Sequence, residues 1–252
     1  MKHIALERAD GVGVVTLNRP ETLNAFNDDM YGSLSEALVM LDQDDSVSVI
    51  VLLAAGKDFS SGNDIEGFLH RDSEEWSHLD DRSRFRSTEA AHRLAEIEKP
   101  LIAAVQGRAI GFGATALLHC DLVIVEASAS MRFPFVTLGL VPEAGSTLLL
   151  AERVGSLQAR YLLMTGAAVN STQACELGLA LESVADGDGA ARALALAKQI
   201  ASNPRQGLVE TKRLLNRCVE PLEARIAVEF RALGQRLQSE DAQTILRSLL
   251  RH

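Results

Sequence analysis

Aromatic residues and long apolar runs are both scarce in this chain. Only 4% of its 252 residues are aromatic, whereas 47% are hydrophobic and 23% are charged. The core must therefore be aliphatic, and this apolar content excludes global disorder. No apolar run approaches the roughly 20 residues of a membrane-spanning helix, so we expect no membrane insertion.

Basic residues are fewer than acidic ones, and cysteines are rare. The 25 Lys and Arg residues face 34 Asp and Glu residues, which gives a net charge of -9 and argues against nucleic acid as a partner. Neither the three cysteines nor the six histidines show metal-ligand spacing, so no metal is expected. The odd cysteine count, and an N-terminus that leads into strand-like sequence without a targeting segment, predict a reducing, cytoplasmic setting.

Hydrophobic periodicity predicts an α/β protein. Residues 3–8 and 12–18 alternate around Asp10-Gly11 as a hairpin does, and residues 27–44 follow helical periodicity. Buried inner strands are predicted at 48–54, 101–105, 121–125 and 130–133, a helix at 84–98, and mostly helices after residue 146 apart from a strand at about 180–185. Residues 70–83 are charged and indicate a surface loop. We expect a strand–helix core over residues 1–195 that holds the site, and C-terminal helices over 196–252 for closure and oligomerisation.

Two glycine-containing turns each follow a buried strand and precede a helix. They are Ser60-Ser61-Gly62-Asn63-Asp64 and Ile110-Gly111-Phe112-Gly113. Glycine allows close backbone approach, and N–H groups at a helix start have no intrahelical partner, so they can face an anion. Two such turns side by side would form an oxyanion hole. For either turn alone, glycine used for packing is the simpler interpretation.

Glu143 lies in an apolar, proline-constrained loop. It follows Leu138-Gly139-Leu140-Val141-Pro142 and precedes Ala144-Gly145. A carboxylate there would be partly desolvated, which raises its pKa and makes it a better base. The alternative is a structural glutamate at the start of the helix that begins near Ser146. A serine-hydrolase elbow and a complete dinucleotide fingerprint are both missing, so those classes are excluded.

Six segments, taken in order, resemble the enoyl-CoA hydratase/isomerase (crotonase) superfamily over nearly the whole chain. They are residues 17–26, 59–65, 99–107, 120–123, 134–143 and 163–166. The resemblance implies a crotonase-like (ClpP/crotonase) spiral of ββα units, with a C-terminal helical region that builds trimers, often paired as hexamers. It also implies an acyl-CoA thioester substrate, with coenzyme A present only as part of that substrate and no separate cofactor.

The resemblance implies site residues as well. The backbone N–H groups of Asn63 and Phe112 would form the oxyanion hole. Coenzyme A and substrate would lie near these residues: Ala25, Lys57, Ser60, Ser61, Gly62, Asp64, Gly111, Thr115 and Phe135.

This sequence departs from the family pattern at the positions of the catalytic glutamates. Hydratases of this family use two glutamates, and the aligned positions here are Thr115 and Phe135, which cannot act as general acid or base at neutral pH. Pro142-Glu143-Ala144-Gly145 is similar to the single-glutamate pattern of the peroxisomal-type Δ3,Δ2-enoyl-CoA isomerases. We therefore expect an isomerase of fatty acid metabolism with Glu143 as catalytic residue. A hydratase (a lyase) that uses Glu143 alone is the runner-up, and a non-catalytic acyl-CoA-binding subunit is the alternative of another class.

Overall fold

The computed structural model describes residues 1–64, 81 and 83–216. The strands are β1 (Ile4–Ala9), β2 (Val12–Leu17), β3 (Val49–Ala54), β4 (Leu101–Val105), β5 (Arg108–Ile110), β6 (Leu122–Glu126), β7 (Ser130–Arg132), β8 (Ala168–Asn170) and β9 (Glu182–Val184). The α-helices are α1 (Asp28–Gln43), α2 (Arg86–Glu96), α3 (Phe112–Thr115), α4 (Ser146–Val154), α5 (Ser156–Thr165), α6 (Ser171–Glu176), α7 (Gly189–Ala201) and α8 (Arg205–Leu215).

The main sheet of the described residues has the strand order β1-β2-β3-β4-β6-β9. The predicted hairpin is confirmed: β1 and β2 pair antiparallel, and Asp10 and Gly11 both adopt positive φ, as a tight hairpin turn requires. The other pairings in this sheet are parallel. Along β3, Ile50 and Leu52 join the core beneath α1, while Val49 and Val51 join the core beneath α7. The strand is apolar throughout because both its faces are covered.

A second sheet has the order β5-β7-β8. The prediction of 130–133 as a further inner strand is therefore wrong in its placement, since β7 pairs with β5 and β8 rather than with the main sheet. Its burial alternates instead of being continuous, so one face remains open. We did not predict β5 and β8, each of which has three residues.

The predicted helices are present with small shifts at their ends. The helix predicted at 27–44 is α1, capped by the Asn27 side chain, which accepts a hydrogen bond from the Met30 N–H at 3.0 Å. The helix predicted at 84–98 is α2, and the helix expected to reach residue 119 is α3 followed by a 3-10 turn. None of the helices in the described ranges is long and apolar enough to cross a bilayer.

Two predictions lie mostly outside the described residues. Of the charged segment 70–83, only residues 81 and 83 are described. The predicted boundary at residue 195 falls within α7, which packs on the main sheet. The division into core and C-terminal helices stays a prediction, because residues 217–252 are not described.

A buried lysine joins α8 to the main sheet. The Lys212 ammonium donates to the Asp121 carboxylate at 2.7 Å and to the Lys99 carbonyl at 2.9 Å, and its side chain is only 6% exposed. The buried ammonium therefore has hydrogen-bond acceptors, and removing it would leave the Asp121 carboxylate without this cation.

We expect Lys212→Met to lower the free energy of unfolding by about 2–3 kcal/mol, below the full cost of an enclosed pair because Asp121 is partly exposed. Lys198→Met is the matched control, since Lys198 pairs with Asp10 at 2.9 Å on the surface, where such pairs contribute little to stability. Urea unfolding at a fixed protein concentration measures both changes. Equal losses in the two variants would contradict the prediction.

Candidate active site

The two predicted glycine turns touch each other. Gly62 has φ of +92°, and a Cβ placed on it would lie 2.6 Å from the Ile110 carbonyl oxygen. A Cβ on Gly113 would lie 2.7 Å from the Ser60 Cβ. Both contacts are closer than any side chain allows, so glycine is required at these positions for the backbones to meet. A bridge between Ser60 and Ala109 extends the contact.

Two backbone N–H groups at this contact are candidate hydrogen-bond donors to a ligand. The Gly62 carbonyl accepts from the Phe26 N–H, and the Asp64 N–H donates to the Phe26 carbonyl, both at 2.8 Å. Between them, the Asn63 N–H has no hydrogen-bond partner among the described residues, and the same holds for the N–H of Phe112. Phe112 opens α3, so no carbonyl of its own helix can reach it. The turns thus offer two donors, as an oxyanion hole requires.

The carboxyl group of Glu143 points inward, towards the two glycine turns. The Thr115 hydroxyl donates to Oε1 of Glu143 at 3.2 Å. Burial raises the pKa of Glu143 to about 7, while the Thr115 hydroxyl and, less strongly, the Asn63 side-chain amide act to lower it. Part of the residue borders a cavity, yet its carboxyl is largely removed from water. Near neutral pH the group is populated both as acid and as base.

The structural alternative for Glu143 does not hold. The helix α4 starts at Ser146, and its first turn contains no acidic residue. Instead, Ala144 and Gly145 both adopt positive φ, at 54° and 69°, and turn the chain so that Glu143 faces inward. The Ala144 carbonyl lies 2.9 Å from Nε2 of His119, whose pKa is lowered by burial. The neutral ring therefore donates to Ala144 and holds the loop, a contact that we did not predict.

A cavity of about 370 Å³ lies beside the Glu143 carboxyl. Its described lining consists of Ser87, Thr88, Ala91, His92, Ala95, His119, Glu143, Ala144 and Gly145. Glu143 is the one carboxylate in that lining. Phe135 does not belong to it: its side chain is 4% exposed and packs in the hydrophobic core. Of the two residues that we predicted to align with the hydratase acids, Thr115 hydrogen-bonds to Glu143.

The segments predicted to hold coenzyme A lie together. The Ser61 N–H donates to the Leu23 carbonyl at 2.9 Å, and the Asn24 amide donates to the Asp58 carbonyl at 3.0 Å. The Ser60 hydroxyl is buried, donates to the Asn24 carbonyl and accepts from the Gly62 N–H, so it shapes the loop. Lys57 remains exposed.

Two further residues of this site were missed. Arg19 donates to the Asp64 carboxylate at 2.8 Å and to the Ala25 carbonyl at 3.0 Å, which joins two predicted site residues that are distant in sequence. Tyr31 donates from its hydroxyl to Oδ1 of Asn63. A tyrosine on the buried face of a helix needs a partner for its hydroxyl, and that signal could have identified it.

Comparisons with known proteins agree with this geometry. The family model for enoyl-CoA hydratase/isomerase matches residues 7–250. The chain is 36% identical over 220 residues to the 1,2-epoxyphenylacetyl-CoA isomerase of Escherichia coli, covering 86% of this chain and 82% of the relative. It is 30% identical over 244 residues to the short-chain-enoyl-CoA hydratase of Clostridium acetobutylicum, covering 96% and 92%. The solved structure of the Bacillus anthracis enoyl-CoA hydratase has a TM-score of 0.92 at 25% identity, covering 99% of this chain and 96% of that one.

The fold and the site therefore define an α/β enzyme that acts on acyl-CoA. The chain belongs to the enoyl-CoA hydratase/isomerase (crotonase) superfamily.

The raised pKa of Glu143 makes stability depend on pH. The folded protein favours the protonated carboxyl, so this contribution is present at low pH and is lost as the pH rises through about 7. Between pH 5 and pH 8 we expect the free energy of unfolding of the wild type to fall by at most about 3 kcal/mol relative to that of Glu143→Gln. Thermal unfolding at both pH values measures the difference, with the exposed Glu36→Gln as control. If the difference in stability between the wild type and Glu143→Gln is the same at both pH values, the Glu143 carboxyl does not have a raised pKa in the folded protein.

Proposed function

We propose that this protein is a Δ3,Δ2-enoyl-CoA isomerase that uses Glu143 as its single acid and base. One observation carries the proposal: a carboxyl group with a pKa of about 7 lies next to two backbone turns, each with an N–H group that has no hydrogen-bond partner among the described residues. A base poised near the working pH transfers protons in both directions most effectively.

The reaction moves one proton and one double bond. The Glu143 carboxylate removes a proton from C2 of a 3-enoyl-CoA, and the electron pair spreads through the thioester to form a dienolate. The N–H groups of Asn63 and Phe112 donate to the thioester oxygen as it becomes negative. The Glu143 carboxylic acid then returns the proton to C4, which gives the 2-enoyl thioester and restores the carboxylate.

Hydration is less well supported by the same residues. Adding water requires one group to activate the water and another to manage the proton at the α-carbon. Thr115 and Phe135 stand where hydratases of this family carry those acids, and neither side chain can act as one at neutral pH.

The acyl chain and coenzyme A are assigned to neighbouring regions in this proposal. The acyl chain lies in the cavity along α2, where Ala91 and Ala95 form an apolar wall. Coenzyme A follows the joined loops, with Lys57 available to its phosphates. The residues assigned to coenzyme A are Ala25, Lys57, Ser60, Ser61, Gly62, Asp64 and Gly111, of which Ser60 and Asp64 act by holding the loops.

The test is an isomerase assay with 3-hexenoyl-CoA. Glu143→Gln removes the base but keeps the shape, so we expect kcat to fall by about 10²–10⁴-fold with substrate binding retained. In the wild type, kcat/KM should rise with pH up to about 7, since the carboxylate is the active form. Rapid hydration of crotonyl-CoA that depends on Glu143 would favour the hydratase. Binding without turnover, unchanged in Glu143→Ala, would favour a non-catalytic subunit.

We also propose that the protein assembles as a homotrimer or homohexamer. Large apolar side chains are exposed on α4, on α5 and on the loop before α4: Val136, Leu138, Leu140, Val141, Leu148, Leu157, Tyr161 and Met164. Such a concentration of apolar surface is typical of an interface. Light scattering should give three or six times the 27.2 kDa chain mass, and Leu157→Lys should reduce it. A monomeric wild type would refute the assembly.

A further inference from the structure

A buried phenol lies beneath the two turns of the site. Tyr31 belongs to α1 and is only 3% exposed. Its ring meets the Phe112 ring edge-on, with centroids 4.8 Å apart, and packs against the Phe26 ring at 5.0 Å. Close packing on two sides fixes the ring, so its hydroxyl points in one direction.

The Tyr31 hydroxyl donates to Oδ1 of Asn63. Burial, together with the negative charge of Glu143, raises the pKa of Tyr31 well above its ordinary value, so the phenol keeps its proton and remains a donor. An amide whose oxygen accepts on one side presents its NH₂ group on the other. The effect of that amide on Glu143 has the sign of a donor, because it lowers the pKa of the carboxyl.

We propose that Tyr31 is a positioning residue, which holds the Asn63 side-chain amide with its NH₂ group towards Glu143. Without the hydroxyl, the amide is free to turn over and present its oxygen to the carboxylate. Two oxygen acceptors facing each other disfavour the charged form of Glu143. The catalytic consequence rests on the isomerase function proposed above, whereas the orientation of the amide does not.

Other groups also face this pair. The Thr115 hydroxyl donates to Glu143, and the rings of His92 and His119 line the same cavity. Asp28 lies close enough to raise the pKa of Tyr31. All of these groups are unchanged in the variants below, so a change in the Glu143 pKa reports on the contact between Tyr31 and Asn63.

The test measures the Glu143 pKa directly in the free protein. With ¹³C-labelled glutamate, the Glu143 carboxyl is the NMR signal that is missing from Glu143→Gln. We expect Tyr31→Phe to raise the Glu143 pKa by about one pH unit, because the freed amide can turn its oxygen towards the carboxylate. Below that pKa, kcat/KM for 3-hexenoyl-CoA should fall about tenfold. Tyr161→Phe is the control, since Tyr161 is the chain's other tyrosine and is exposed on α5.

A second variant separates positioning from a general effect of the tyrosine. Asn63→Ala removes the amide and should raise the Glu143 pKa by itself, and Tyr31→Phe added to it should have no further effect. The inference is overturned if Tyr31→Phe leaves the Glu143 pKa unchanged. It is also overturned if Tyr31→Phe shifts the Glu143 pKa equally with and without the Asn63 amide. If Tyr31→Phe does not fold, an unchanged pKa in Asn63→Ala overturns it alone. A shifted pKa in a protein that does not isomerise would refute the proposed function and leave the inference standing.

Discussion

The close backbone contact between residues 60–64 and residues 110–113 is the constraint on which the rest of the site depends. A single added carbon on Gly62 would collide with the Ile110 carbonyl, and one on Gly113 would collide with Ser60. The first turn follows β3 of the main sheet and the second follows β5 of the small sheet, so the contact also joins the two sheets. The turns that carry the N–H groups of Asn63 and Phe112 meet through this approach.

The properties of Glu143 reflect a balance between desolvation and neutral donors. Burial acts to raise its pKa, and two groups oppose it, the Thr115 hydroxyl and the Asn63 amide. Neither donor carries a charge. A nearby cation would have stabilised the carboxylate much more strongly and lowered its pKa, which would have made it a weaker base. Neutral donors offset only part of the desolvation, so the pKa of Glu143 stays at about 7.

The sequence was informative where structure is local. The hairpin at Asp10-Gly11, the helix α1 and the buried strands β3, β4 and β6 could be predicted, because each depends on periodicity within its own segment. The loop of Glu143 was recognisable from its proline, glycines and apolar neighbours. These features suffice for the fold class and for the position of a candidate base.

What could not be predicted depends on contacts between distant segments. The strands β5 and β8, and the sheet to which β7 belongs, are defined by pairing between these three strands rather than by the residues of each one. Arg19 reaches Asp64 across 45 positions, and His119 reaches Ala144 across 25. Tyr31 on α1 reaches Asn63 across 32 positions. Each of these polar contacts satisfies a group that burial would otherwise penalise, and burial is known only once the fold is known.

Overall identity does not separate the reactions of this superfamily, since similar identities link the chain to an isomerase and to a hydratase. The distinction has to come from how many acids face the substrate. Isomerisation needs one carboxyl that can exist in both protonation states, because the same group removes and returns the proton. Hydration needs a second group to hold and activate water. Glu143 is the one carboxylate in the described lining of the cavity, and the Thr115 hydroxyl that contacts it is a neutral donor. This is why isomerisation, rather than hydration, is the proposed reaction.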